Sequence, residues 1–291
     1  MLKNLEKIIE DVAVELLRRA ASNLPKDYVA ALSEARQETR GEVGRSELTN
    51  ILRNIELARE TSQPICQDTG VVAFMLKLGD NFPIRSKLKG ILEDATRRAT
   101  RDIPLRPNAV DLFRGNTKDN VGPHVPLIYI ELVEGDDLEI TALPKGGGSS
   151  NIASHSMVTP GLGWKGIKKF VIESTAKAGS LGCPPYFIGV GVGGGEDYCM
   201  FLAKKALLKP FRVRSEDPRI AEIEAELLEK INSLGIGAMG LGEGPTALDL
   251  HIETAARHPA SLPVGVVFSC WACRHAKGTV SIDGRISFEH A

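Results

Sequence analysis

A chain of 291 residues, 43% of them hydrophobic, is long enough to bury roughly 75% of its unfolded surface without disulfide staples, in one or two domains. Its 36 Lys and Arg against 37 Asp and Glu leave a formal net charge of -1, which gives no bulk attraction to nucleic acid or an anionic membrane. The opening Met1-Leu2-Lys3-Asn4-Leu5-Glu6-Lys7 has early charge and no apolar core of signal-peptide length; no segment is long and apolar enough to span a bilayer, and the sequence reads as cytoplasmic.

From Leu2 to Asn23 the apolar residues Leu5, Ile8, Ile9, Val12, Val14, Leu16 and Leu17 recur at near-helical spacing and predict a helix. Further helices are predicted over residues 26–39, ended by Gly41, and over 46–60. Residues 1–62 thus read as a helical leader, a packing or oligomer-contact module, on a mixed α/β body spanning 63–291. In the body, 71–78 reads as a strand and 84–102 as a charged amphipathic helix. Strands at 127–132 and 138–143 are joined by the turn Glu134-Gly135-Asp136-Asp137. Helices are predicted over 150–158 and 164–177, a buried strand over 186–192, and helices over 196–208 and 214–234. Strands follow at 246–252 and 262–268, and a closing hairpin at 278–288 turns around Asp283-Gly284.

The first chemistry-bearing stretch is Pro64-Ile65-Cys66-Gln67-Asp68-Thr69-Gly70. It sets a thiol, an amide, a carboxylate and a hydroxyl in succession on a loop before a strand, where functional groups concentrate. A free core cysteine beside an Asp-Thr-Gly turn describes it equally well. Arg106-Pro107-Asn108 puts an arginine in an irregular stretch, able to clamp a carboxylate bidentately or simply to sit on the surface. Lys145-Gly146-Gly147-Gly148-Ser149-Ser150-Asn151 links a strand to a helix. Its glycines permit close ligand approach and its helix start offers free N–H groups, an anion hole without the spacing of a P-loop. Gly182-Cys183-Pro184-Pro185 sets a second thiol before a strand. That strand ends in Gly189-Val190-Gly191-Val192-Gly193-Gly194, literally GxGxxG, which raises a nucleotide-dependent oxidoreductase as one reading and a close strand–helix crossing as another. Cys199 lies among apolar neighbours in a helix. His251, Glu253, Arg257 and His258 precede Pro259. Cys270-Trp271-Ala272-Cys273 offers half of a zinc site, without the second pair that structural zinc needs, or a redox pair, far from the start of a βαβ unit where such a pair belongs.

Five cysteines in a long chain without a secretion signal favour metal or catalytic use over disulfides. Cys66, Cys183 and Cys270 each stand at the edge of a predicted strand. Three thiolates from distant loops can hold a four-iron, four-sulfur ([4Fe-4S]) cluster and leave one iron without a protein ligand, a Lewis acid. These motifs together, with His251-Ile252-Glu253, resemble the class I fumarate hydratase family, and more closely the α subunit of its two-subunit form, shared with L-tartrate dehydratase. The resemblance runs from the third helix to Arg274. It implies reversible hydration of fumarate to (S)-malate, or dehydration of L-tartrate, on a [4Fe-4S] cluster held by Cys66, Cys183 and Cys270. It implies Gln67, Asp68, Arg106, Gly146 and Gly147 around a small dicarboxylate, with Asp68 as proton donor and His258 close by as its partner. Single-chain members carry a second domain with further arginine, lysine and threonine site residues; this sequence stops at Ala291, so the resemblance implies a β subunit supplying them. Cys273 departs from the Asp or Asn usual there.

Overall fold

The structure, a computed structural model, describes residues 2–289, so the outermost residues of the expected leader and body lie outside the described residues. It has the expected mixed α/β composition with a helical N-terminal region. The compact units do not divide at 62/63. One comprises the chain up to Lys26, Asn54–Gly147 and the stretch from Arg274 onward; the other comprises Asp27–Arg53 and Gly148–Cys273.

The first unit is built on a five-stranded sheet. In chain order its strands are β1 (Val71–Gly79), β4 (Leu127–Val133), β5 (Asp137–Lys145), β10 (Ala276–Ser281) and β11 (Ile286–Phe288), arranged β11-β10-β5-β1-β4. β1 runs parallel to β4 and antiparallel to β5, and β10 is antiparallel to both β5 and β11. The unbroken apolar run Val71-Val72-Ala73-Phe74-Met75-Leu76 suits a strand flanked on both sides. Helix α1 (Leu2–Ser22) covers the sheet with Leu5, Ile9, Val12, Leu16 and Ala20, each 4% exposed or less, a stripe at the period of a helix face. Helix α4 (Leu88–Asp102) adds Leu88, Leu92, Ala95 and Ala99 to the same core. A hairpin of two-residue strands, β2 (Val110–Asp111) and β3 (Gly115–Asn116), projects from this unit. Nothing in the local apolar pattern foretells it.

The second unit carries a four-stranded sheet in the order β6-β9-β7-β8: β6 (Ser154–Met157), β7 (Tyr186–Gly194), β8 (Ala247–Arg257) and β9 (Pro263–Ser269). β7 and β8 are parallel; β9 is antiparallel to β7 and to β6. Side chains alternate across β7. Ile188, Val190 and Val192 join the core with helices α6 (Gly163–Ala178) and α8 (Pro218–Asn232). Phe187, Gly189 and Gly191 face the other way. Phe187 stacks on Tyr28 of α2 (Lys26–Glu38), ring centroids 4.1 Å apart. A Cβ at Gly189 would lie 1.9 Å from the Ala203 carbonyl oxygen, and one at Gly191 1.9 Å from that of Cys199. Both carbonyls belong to α7 (Glu196–Ala206), which therefore rests its backbone directly on the strand.

This geometry corrects the nucleotide reading. The GxGxxG glycines serve helix–strand approach, and α7 opens on Glu196 and Asp197, which would repel a phosphate at its N-terminus. A second correction concerns residues 150–158, expected as a helix. They form the end of a single helical turn, α5 (Gly147–Asn151), and then β6, which pairs Ser154 with Val266 and Met157 with Pro263. Cross-strand pairing overrides a local pattern too short to decide between the two periods.

Two glycine substitutions are expected to act with opposite sign. Gly191→Ala should lower stability by about 3 kcal/mol or more, because two backbones must part. Gly90→Ala, on the exposed face of α4 with nothing within 4 Å of the new Cβ, should raise it by about 0.5–1 kcal/mol through reduced freedom of the unfolded chain. Urea midpoints of the two variants check both.

Candidate functional site

In the first unit Val71 stands opposite Lys145, and Ala276 opposite Ala142. The start of β1, the end of β5 and the start of β10 therefore lie side by side at one end of the sheet. The loop before β1 is pinned at its base: the Ile65 N–H donates to the Ala21 carbonyl at 2.9 Å, and Asn54 Nδ2 donates to the Ile65 carbonyl at 2.9 Å. At its exit Gly70 has φ +83°, and a Cβ there would lie 2.6 Å from the Lys145 carbonyl carbon. Only glycine meets both demands.

Asp68 is the hub of this end. Its Oδ1 accepts from the Gly70 N–H at 3.0 Å and from Asn108 Nδ2 at 3.4 Å; its Oδ2 accepts from the Gly147 N–H at 2.7 Å. Thr69 Oγ1 accepts from the Arg106 N–H at 3.0 Å. Asn108 Nδ2 also reaches the Gly70 carbonyl at 3.2 Å. Behind it the buried Asn120 accepts from the Asn108 N–H at 2.6 Å and donates to the Arg106 carbonyl at 3.0 Å. These amide side chains clip the 105–109 loop onto the 64–70 loop, and leave the side chains of Gln67 and Arg106 exposed. Gln67, Asp68, Arg106, Gly146 and Gly147 thus come together on one unit. Of the expected anion hole, the first amide, Gly147, is given to Asp68, at the head of a single turn of five residues.

Asn108 and Asn120 carry no role in the sequence reading, and neither does Arg274. Arg274 is 3% exposed, and its Nε and Nη1 have no hydrogen-bond partner among the described residues. A Cβ built on Gly146 would lie 3.0 Å from Asp68 Oδ2 and 3.4 Å from Arg274 Nη2. The carboxylate and the guanidinium therefore flank one glycine. The only signal in the sequence is an arginine placed at the start of a buried strand.

In the second unit Phe187 pairs with Ser269, which sets the loops bearing Cys183 and Cys270 next to each other. The Trp271 N–H donates to the Cys183 carbonyl at 3.2 Å. Cys183 is exposed with φ +57°, a conformation uncommon outside glycine that persists where surroundings dictate it, often at functional sites. Tyr186 braces the loop, donating to the Gly179 carbonyl at 2.7 Å and accepting from the Gly182 N–H at 3.1 Å. Burial pushes its phenol up to about 12, against the Gly182 hydrogen bond and with reinforcement from Cys183 and Cys270.

All five cysteines are free. Cys66, Cys183 and Cys270 are the three with exposed or half-buried thiols, all on loops at strand edges, whereas Cys199 and Cys273 are fully buried. Burial pushes the Cys199 thiol up to about 11, and Cys273 Sγ lies 4.0 Å from the Leu207 carbonyl oxygen inside the core. In donor chemistry the three loop thiols suit an iron–sulfur cluster. Among the described residues no three His, Cys, Asp or Glu side chains group so as to hold a metal ion.

His258 follows the C-terminal end of β8, which is parallel to β7. It therefore lies at the opposite end of this sheet from Cys183, with its Nδ1 accepting from the Ala260 N–H at 3.1 Å.

The family model described as fumarate hydratase (Fumerase) matches residues 10–279. The protein named putative L(+)-tartrate dehydratase subunit alpha from Methanocaldococcus jannaschii is 48% identical over 283 residues, 96% of this chain and 99% of that one. Those named L(+)-tartrate dehydratase subunit alpha from Escherichia coli strains UTI89 and K12 are 34% and 33% identical, each over 97% of this chain and 93% of theirs. Among the described residues no helix is long and apolar enough to cross a membrane.

Proposed function

We propose, from the premise that this chain belongs to the fumarate hydratase (Fumerase) family, that it is the α subunit of an iron–sulfur hydro-lyase acting on a four-carbon hydroxydicarboxylate. L-Tartrate is the substrate the relatives' names favour, and their match along nearly the full length of both chains is the observation that carries it. The second reading is fumarate and (S)-malate, favoured by the name of the family model. The names of the relatives also support a partner β subunit.

The reaction removes a hydroxyl from one carbon and a proton from its neighbour; tartrate then gives water and the enol of oxaloacetate, malate gives water and fumarate. Cys66, Cys183 and Cys270 would hold a [4Fe-4S] cluster, which supplies a Lewis acid for the departing hydroxyl when bound. Asp68, held by its amide cradle, would exchange a proton with the substrate. Arg106, exposed and with no partner to its guanidinium among the described residues, takes one carboxylate. The Gln67 amide orients the substrate beside it. The β subunit completes the site.

The test is anaerobic co-purification with the β subunit, iron and sulfide determination, and rates on L-tartrate, (S)-malate and fumarate. Turnover of tartrate above malate supports the first reading, and the reverse order the second. A cluster-loaded complex inactive on all three removes the proposal.

A further inference from the structure

Arginine stays protonated at every pH a protein meets, and an unpaired charge shut away from water is strongly unfavourable. Arg274 is such a charge: it is 3% exposed, and among the described residues its Nε and Nη1 have no hydrogen-bond partner and its guanidinium no ion pair. It precedes β10 at the sheet end where β1 begins and β5 ends. Its Nη2 approaches Gly146 on the side where Asp68 Oδ2 also lies, the two atoms 3.4 and 3.0 Å from a Cβ built there. The absent side chain at Gly146 keeps that space open. Each unpaired nitrogen shares an edge of the planar group with Nη2, so either edge presents two parallel N–H donors, the arrangement a carboxylate accepts.

We propose that Arg274 is a substrate-binding residue, its buried guanidinium receiving a carboxylate of the dicarboxylate next to Asp68. This assignment rests on the hydro-lyase reading, and it adds a second cation to Arg106. One guanidinium is exposed and steers; the other is buried and fixes register. The pair distinguishes a dicarboxylate from a monocarboxylate. Gly146 is then required small, since a methyl group would enter the space between Asp68 and Arg274.

The test uses the complex with its β subunit and succinate, a four-carbon dicarboxylate with no hydroxyl to lose. Calorimetric titration compares the unaltered protein with Arg274→Gln, Arg274→Lys and Gly146→Ala, beside iron content and the thermal midpoint without ligand. Arg274→Gln is expected to raise the Kd for succinate roughly 10–100-fold, with Arg274→Lys between the two and Gly146→Ala weakened as well. Iron content should hold, and the ligand-free midpoint should not fall, because an unpaired charge has been removed. An unchanged Kd in Arg274→Gln overturns the assignment. So does loss of iron at constant Kd, which would turn the guanidinium toward the cluster. A protein that binds succinate through Arg274 yet dehydrates neither tartrate nor malate leaves this inference standing and fails the hydro-lyase reading. A protein that binds no succinate overturns the inference whatever its turnover.

Discussion

Serine at position 183 is expected to abolish turnover while leaving the fold intact. Cys183 is exposed on a loop whose shape is set by its neighbours: the Trp271 N–H holds its carbonyl and the Tyr186 hydroxyl holds the Gly182 amide. Serine preserves those backbone contacts and replaces only the soft thiolate by a weakly acidic hydroxyl. Loss of Lewis-acid assistance removes several kcal/mol of transition-state stabilisation, roughly a thousandfold or more in rate. Iron and sulfide should fall with activity, while the thermal midpoint of the cluster-free protein stays put. Cys199→Ser supplies the contrast. That thiol is fully buried in α7, with Sγ 3.3 Å from the Glu196 carbonyl oxygen. The variant should keep its iron and its rate and lose about 1 kcal/mol of stability to a buried hydroxyl. Full activity in Cys183→Ser, or iron loss in Cys199→Ser, would reverse the ligand assignment.

Asp68→Asn is the second large effect. If the carboxylate exchanges a proton with the substrate, kcat should drop about 10²–10⁴-fold. The substitution also disturbs the loop, which has to be separated from the chemistry. Oriented with its oxygen toward the Gly70 amide, asparagine turns its NH2 toward the Gly147 N–H, two donors face to face. The unmet bond costs about 1–3 kcal/mol. Asn108→Ala removes a brace to the same loop while sparing the carboxylate, and so calibrates the structural part. Proton transfer predicts a far larger rate loss in Asp68→Asn than in Asn108→Ala at comparable destabilisation. Equal losses in both would reduce Asp68 to a clip between β1 and β5.

Legibility of this chain in its sequence followed the range of the forces involved. The leucine and isoleucine stripe of α1, the apolar run of β1 and the turn at Gly284 depend on near neighbours and could be read directly. The strand at Ser154–Met157 could not, because Ser-His-Ser-Met acquires its extended form from β9, more than a hundred residues away. The glycines of β7 were visible, but their purpose lay in the carbonyls of Cys199 and Ala203, which only the packed helix supplies. The Pro64–Gly70 stretch announced itself by its density of functional groups. Asn108, Asn120 and Arg274 did not: an amide that staples two loops looks like any loop amide, and a buried guanidinium looks like any arginine. The two-residue strands β2 and β3 are too short for any periodicity to register.

The sheet of the first unit holds a consequence for how the chain is made. β5 is flanked by β1 on one side and β10 on the other, and some 130 residues separate Lys145 from Ala276 in the chain. On the ribosome, β1, β4 and β5 emerge long before β10 exists. For that interval β5 presents a bare row of N–H and C=O groups beside the apolar face of α1, the kind of margin that recruits strands from other molecules. Synthesis must therefore outrun aggregation at this margin until the strand after Arg274 arrives to close it.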